Sequence, residues 1–161
     1  MTRLMAATIV GILAACSSVG QVGRQTPEDN KAVVRGYMEE IANGKQWAEG
    51  WDRYFADRVV FNEMELTKDL AVRMWQSMHD AFPDLQLTIE DQIAEADRVA
   101  TRVTFRGTHR GVFQGIPATG RKIEYSGIAI DRIVDGRVVE MWHQADHARL
   151  LEQLAETGSE G

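Results

Sequence analysis

The sequence predicts an α+β domain, with helices in its first half and a half-open antiparallel sheet in its second. Three observations predict it. Apolar residues recur at helical spacing as far as about residue 80. Phe82-Pro83-Asp84 then stops that pattern, because proline lacks the N–H a helix needs. Beyond Pro83, apolar and polar residues alternate in the period of a strand with one face buried.

The first helix begins at Thr26-Pro27-Glu28-Asp29, which offers an N-cap, a proline in the first turn and acids against the positive dipole end. Val33, Val34, Tyr37, Met38 and Ile41 form its apolar stripe, and Asn43-Gly44 ends it. A shorter helix runs from about Lys45 to Ala56 and carries Trp47, Trp51, Tyr54 and Phe55. Val59-Val60-Phe61 reads as a short strand. Thr67 caps a third helix containing Leu70, Val72, Met74, Trp75 and Met78.

Leu85, Leu87 and Ile89 open the first long strand, and Ala96-Asp97-Arg98 turns it. Val99, Thr101, Val103 and Phe105 continue the alternation. Residues 107–120 read GTHRGVFQGIPATG, a glycine-rich connection to the strand Ile123–Ile133. Asp135-Gly136 makes a hairpin turn, since both residues tolerate positive φ. The last strand spans Val138 to about Asp146, and Leu150, Leu151 and Leu154 mark a closing helix. Long strands joined by tight turns curl over the early helices, leaving a hollow between them.

The chain has 161 residues, enough for one domain and its core. Its net charge of −6 and lack of a Lys/Arg cluster argue against a nucleic-acid partner. At the N-terminus, Arg3 precedes an apolar run from Leu4 to Ala15, too short to span a bilayer and laid out like a secretory signal. Leu13-Ala14-Ala15-Cys16 resembles a bacterial lipobox, in which the cysteine is lipidated. Cys16 is the only cysteine, so it has no internal disulfide partner. The expected organisation is a lipoprotein signal peptide at 1–15, a flexible tether at 16–26, the folded domain at 27–155 and a loose tail at 156–161. The expected location is the bacterial cell envelope, outside the cytoplasm, with membrane attachment only through the lipid at Cys16.

The stretches FPDLQLTIED and ADRVATRVTFRGTHRGVFQGIPATGRKIEYSGIAIDRIVDGRVVEMWHQAD resemble the SnoaL-like polyketide cyclase (ester cyclase) family. The resemblance covers about Asn30 to Leu154. It implies the cone-shaped α+β fold of the nuclear transport factor 2-like superfamily, whose sheet wraps on about three N-terminal helices. It also implies ring closure by intramolecular aldol condensation, with no metal or cofactor, on a small and mostly apolar carbonyl compound. Related sheets pair through their convex faces, so a homodimer is expected.

That chemistry needs one base, a dry pocket and a substrate folded into reactive shape. A carboxylate in an apolar pocket supplies such a base, because desolvation raises its pKa. Asp146 is the first candidate. It stands four positions after Trp142, as in the family pattern, and shares a strand face with Trp142 and Gln144. The competing reading makes Asp146 the cap of the last helix. His109, in the family's GTH element, is expected to orient or protonate a substrate oxygen, or else to rigidify the turn. His143 and His147 fall on the face opposite Trp142 and read as surface or interface. The expected pocket walls are Tyr37, Trp51, Phe61, Trp75, Met78, Tyr125, Trp142 and Gln144, with simple core packing as the alternative. The resemblance also implies a histidine on the strand beside the catalytic aspartate, and Ser126–Ile130 holds none. A non-catalytic module that binds a hydrophobic small molecule is the second functional reading.

Overall fold

The computed structural model describes residues 25–155. The expected signal peptide, Cys16, most of the expected tether and the expected tail lie outside that range. Helix α1 (Pro27–Tyr37) opens with a capping box: Thr26 Oγ1 accepts from the Asp29 N–H, and the Thr26 N–H donates to Asp29 Oδ2. The helix widens into a π-helical segment (Met38–Asn43), where the Gly44 N–H donates to Glu39 O. Asn43 then imitates a strand residue. Its Nδ2 donates to Leu87 O and its Oδ1 accepts from the Leu87 N–H, so the segment is fastened to the sheet edge.

Helix α2 (Trp47–Tyr54) is shorter than its sequence suggests, because the chain turns extended at Phe55. Strand β1 (Phe55–Phe61) returns through a tight turn as β2 (Met64–Leu66). Helix α3 (Lys68–Ala81) is capped by Thr67 Oγ1, which accepts from the Leu70 N–H. Then come the long strands β3 (Gln86–Glu95), β4 (Arg98–Thr108), β5 (Lys122–Val134) and β6 (Arg137–Ala145), followed by α4 (His147–Ala155). Buried His79 on α3 ties this helix to the π-helical segment, its Nε2–H donating to Ala42 O at 2.8 Å.

The six strands form one sheet in the order β2-β1-β6-β5-β4-β3. The expected α+β cone is present, with one correction. The sheet is mixed, because β1 runs parallel to β6 while every other pair is antiparallel. The concave face packs on the helices through Val34, Ile41, Trp51, Phe82, Val99, Val103 and Ile133.

Two bulges set which side chains face inward. In β3, Glu90 is the extra residue, since Ile89 pairs with Val103 while Asp91 pairs with Arg102. In β6, Val139 is extra, since Ile133 pairs with Val138 while Arg132 pairs with Glu140. A one-residue insertion shifts every later side chain to the opposite face. After Val139 the inward residues of β6 are therefore Met141, His143 and Ala145, opposite Asp131, Ala129 and Gly127 of β5.

Candidate active site

Between the concave face and α1 and α3 lies an apolar hollow with two adjoining lobes. The inner lobe, about 110 Å³, is lined by Tyr37, Met38, Phe55, Trp75, Leu87, Val103, Phe105, Ala129, Met141 and His143. The outer lobe, about 190 Å³, is lined by Ala71, Met74, Trp75, Met78, Phe105, Tyr125, His143, Ala145 and His147. Trp75, Phe105 and His143 belong to both.

His143 is held from three sides. Its backbone is clamped by Asn62, whose Oδ1 accepts from the His143 N–H at 2.8 Å and whose Nδ2 donates to the His143 carbonyl at 3.0 Å. Asn62 adopts φ 45°, a left-handed conformation that asparagine tolerates. The ring meets Phe105 edge-on at 6.0 Å, and Phe105 in turn stacks on Tyr125 at 4.6 Å. Gly127 makes room for it. A Cβ there would lie 3.2 Å from His143 Nε2 and 3.0 Å from Phe105 Cε2, tight enough that the rings would have to shift by a few tenths of an ångström. Burial lowers the His143 pKa below its ordinary 6.5, and nearby His147 adds to the shift, so the ring is neutral at pH 7. A neutral imidazole in an apolar wall has a lone pair to offer as a base.

Asp131 lies one pair further along the same inward face and is fully buried. Its Oδ2 accepts from the Tyr37 hydroxyl at 3.1 Å. Burial raises its pKa to about 7, with the Tyr37 hydrogen bond pulling the other way. Burial also lifts the Tyr125 phenol to about 12.

The positions expected from sequence divide into two groups. Tyr37, Trp75, Met78 and Tyr125 line the hollow. Phe61 stands beside it, its ring 6.5 Å from that of His143, and Trp51 packs in the core stacked on Phe55 at 4.6 Å. Trp142, Gln144 and Asp146 are corrections. The Val139 bulge turns Trp142 and Gln144 to the outer face, where the Trp142 indole N–H donates to Glu140 Oε1. Asp146 is exposed and caps α4, its Oδ1 accepting from the Arg149 N–H at 2.9 Å. His143, read as a surface residue, is instead the inward one.

His109 is corrected as well. It is fully buried away from both lobes, and its Nδ1 accepts from the Thr119 N–H and lies 3.0 Å from Thr119 Oγ1. Backbone bonds from His109 N to Arg121 O and from Gly120 N to His109 O close the same knot. Residues 107–120 line neither lobe. They are fastened to the end of α3, where the Arg110 and Gly111 N–H groups donate to Ala81 O. Gly111 has to be glycine, since a Cβ there would sit 2.1 Å from Asp80 O. Among the described residues, no three His, Cys, Asp or Glu side chains converge as a metal site would require.

Sequence reasoning missed His143 and Asp131. Asp131 was recoverable, because it continues the odd-numbered series of Ile123, Tyr125 and Ile133. His143 was hidden by the bulge.

A model of the family described as SnoaL-like polyketide cyclase matches residues 32–154. The chain belongs to the SnoaL-like polyketide cyclase family. Among solved structures, AclR from Streptomyces galilaeus, a proposed hydroxylase, is 28% identical with a TM-score of 0.71, over 83% of this chain and 100% of AclR. IdmH from Streptomyces antibioticus, a proposed polyketide cyclase, is 29% identical with a TM-score of 0.71, over 79% and 99% of the two chains. A proposed SnoaL-like polyketide cyclase from Jannaschia, 20% identical over 86% of this chain and 100% of its own, has a TM-score of 0.74 and shares this fold. No curated protein matches the chain.

Asp131 makes stability depend on pH. Its folded value of about 7 lies above the ordinary 3.8, so folding favours the protonated acid. That contribution is complete below pH 3.8 and is lost as pH rises through about 7. In urea unfolding, the wild type loses on the order of a few kcal/mol between about pH 4 and about pH 8 through this group. Asp131→Asn, which cannot ionise, flattens that fall; an unchanged slope would place its origin elsewhere.

Proposed function

We propose that this SnoaL-like protein performs cofactor-independent acid–base chemistry on a small, apolar carbonyl compound, with His143 as the base. The observation that carries this reading is a neutral histidine whose ring makes no hydrogen bond to the described residues and forms part of both lobes of an apolar hollow. His143 takes the proton from a C–H beside a carbonyl. The resulting enolate attacks a second carbonyl of the same molecule, forming the C–C bond, and the imidazolium returns the proton to the new alkoxide. The lobes suit a compact substrate. A cavity of about 150 Å³ holds one benzene ring, so a ligand of one or two rings fits here better than a long fused system.

Exchange of an acidic α-proton tests the base directly. In D2O, with ethyl benzoylacetate as probe and ¹H NMR as readout, the full chain accelerates loss of the α-proton signal. His143→Ala lowers that rate by roughly 100-fold or more, the usual worth of a positioned base. Gly127→Val, which crowds the ring out of place, lowers it too, whereas Asp146→Asn leaves it unchanged. Because the His143 pKa is depressed, the rate holds as pH falls below 6.5 and drops only further down. Wild-type exchange in His143→Ala would sink the assignment, and binding without exchange would make the domain a carrier of hydrophobic small molecules.

The same proposal includes a lipid anchor at Cys16, supported by the small residues before it and the polar tether behind it. Cys16→Ser then moves the protein from the membrane to the soluble fraction of the cell envelope. Continued membrane fractionation would count against the anchor.

A homodimer through the outer face of the sheet is supported by Ile128, Ile130 and Trp142, which are 53%, 40% and 40% exposed on neighbouring strands. Ile130→Lys is expected to yield monomers in sedimentation velocity. A wild type already monomeric at tens of micromolar would remove the dimer.

A further inference from the structure

We propose that Tyr37 and Asp131 form a seat for the carbonyl oxygen of the ligand: the tyrosine hydroxyl is the donor that touches it, and the aspartate behind it is a positioning residue. This rests on the function proposed above only for the identity of the reacting oxygen. Among the described residues that line the inner lobe, only Tyr37, Trp75 and His143 have a nitrogen or oxygen in the side chain. Its hydroxyl is 3.1 Å from Asp131 Oδ2, while Asp131 Oδ1 is buried with no partner among the described residues.

A fully buried carboxylate with one unpaired oxygen is costly, and the neutral acid is less so. Among the described residues, no cation offsets the charge. Val99 of β4 and Met141 of β6 pair with Asp131 across the sheet, and Tyr37 faces it from α1. His143, one pair along β6, and Tyr125, further along β5, are the other titratable groups on this side of those strands. The neutral acid donates its own proton to Tyr37 Oη. The tyrosine proton is then free to turn from the aspartate toward the lobe. Burial and Asp131 both push the Tyr37 phenol well up, so it remains a donor.

Base and donor both line the inner lobe and act on one substrate there. The α-proton moves to His143, and the C–H electron pair delocalises onto the oxygen. The enolate charge that develops there is met by the Tyr37 O–H. The substrate loses one proton and His143 gains one; no electrons leave the pair.

A phenolate oxygen imitates that enolate. Pentafluorophenol is a one-ring phenol, acidic enough to be anionic across the experiment, and its binding to the full chain is measured by calorimetry from about pH 6 to about pH 8.5. Wild-type affinity falls as pH rises through about 7, as Asp131 ionises and reclaims the tyrosine proton. Tyr37→Phe weakens binding roughly 10- to 100-fold, as expected for a hydrogen bond to a charged oxygen. Asp131→Asn keeps the low-pH affinity and abolishes the fall, because its carboxamide donates at every pH. Both substitutions preserve shape, and near-UV circular dichroism confirms folding. Wild-type affinity in Tyr37→Phe, or a persistent fall in Asp131→Asn, would overturn the seat. Tyr37-dependent binding alongside His143-independent proton exchange would sink the base and leave the seat standing.

Discussion

The phase of strand β6 governs the chemistry of the hollow, and one extra residue sets it. Val139 has no partner of its own on β5, so inward and outward positions exchange beyond it. With the bulge, an imidazole and small or flexible apolar groups face the helices. Without it, an indole, a carboxamide and a carboxylate would stand there instead. The bulge at Glu90 does the same for the edge strand β3, bringing Leu87 and Gln92 onto one face despite their odd spacing.

Around this phase the rest of the site is support. Asn62 takes the place of a strand residue and fixes the backbone of His143. Gly127 opens the space its ring occupies, and Phe105 and Tyr125 form a rigid stacked wall beside it. Desolvation acts on both titratable groups in the direction that removes charge: His143 stays neutral and Asp131 is drawn toward protonation. With no lysine or arginine among the described residues shifting either group, this interior settles on uncharged forms around neutral pH.

Much of the fold was legible because its causes are local. The Thr26 cap, the break at Pro83, the Asp135-Gly136 turn and the strict alternation of β5 each depend on neighbours in the chain. The parallel pairing of β1 with β6 was not legible, since it joins segments some eighty residues apart. The bulges were invisible for the same reason: a surplus residue exists only relative to a partner strand. Trp142, Gln144 and Asp146 were placed inward by unbroken alternation, and that assumption failed at a single position. Asp131 was missed differently. Ile128 and Ile130 make the outward phase of β5 look nearly as apolar as the inward one, and only the odd-numbered series through Ile123, Tyr125 and Ile133 marks the side on which Asp131 falls.

The knot at His109 and Thr119 has a consequence for how this protein can vary. The two ends of the glycine-rich stretch are tied to each other, and Phe113 between them is buried against Phe82. Insertions between the paired Phe113 and Ile116, at exposed Gln114 and Gly115, would lengthen a handle without disturbing the vessel to which it is attached.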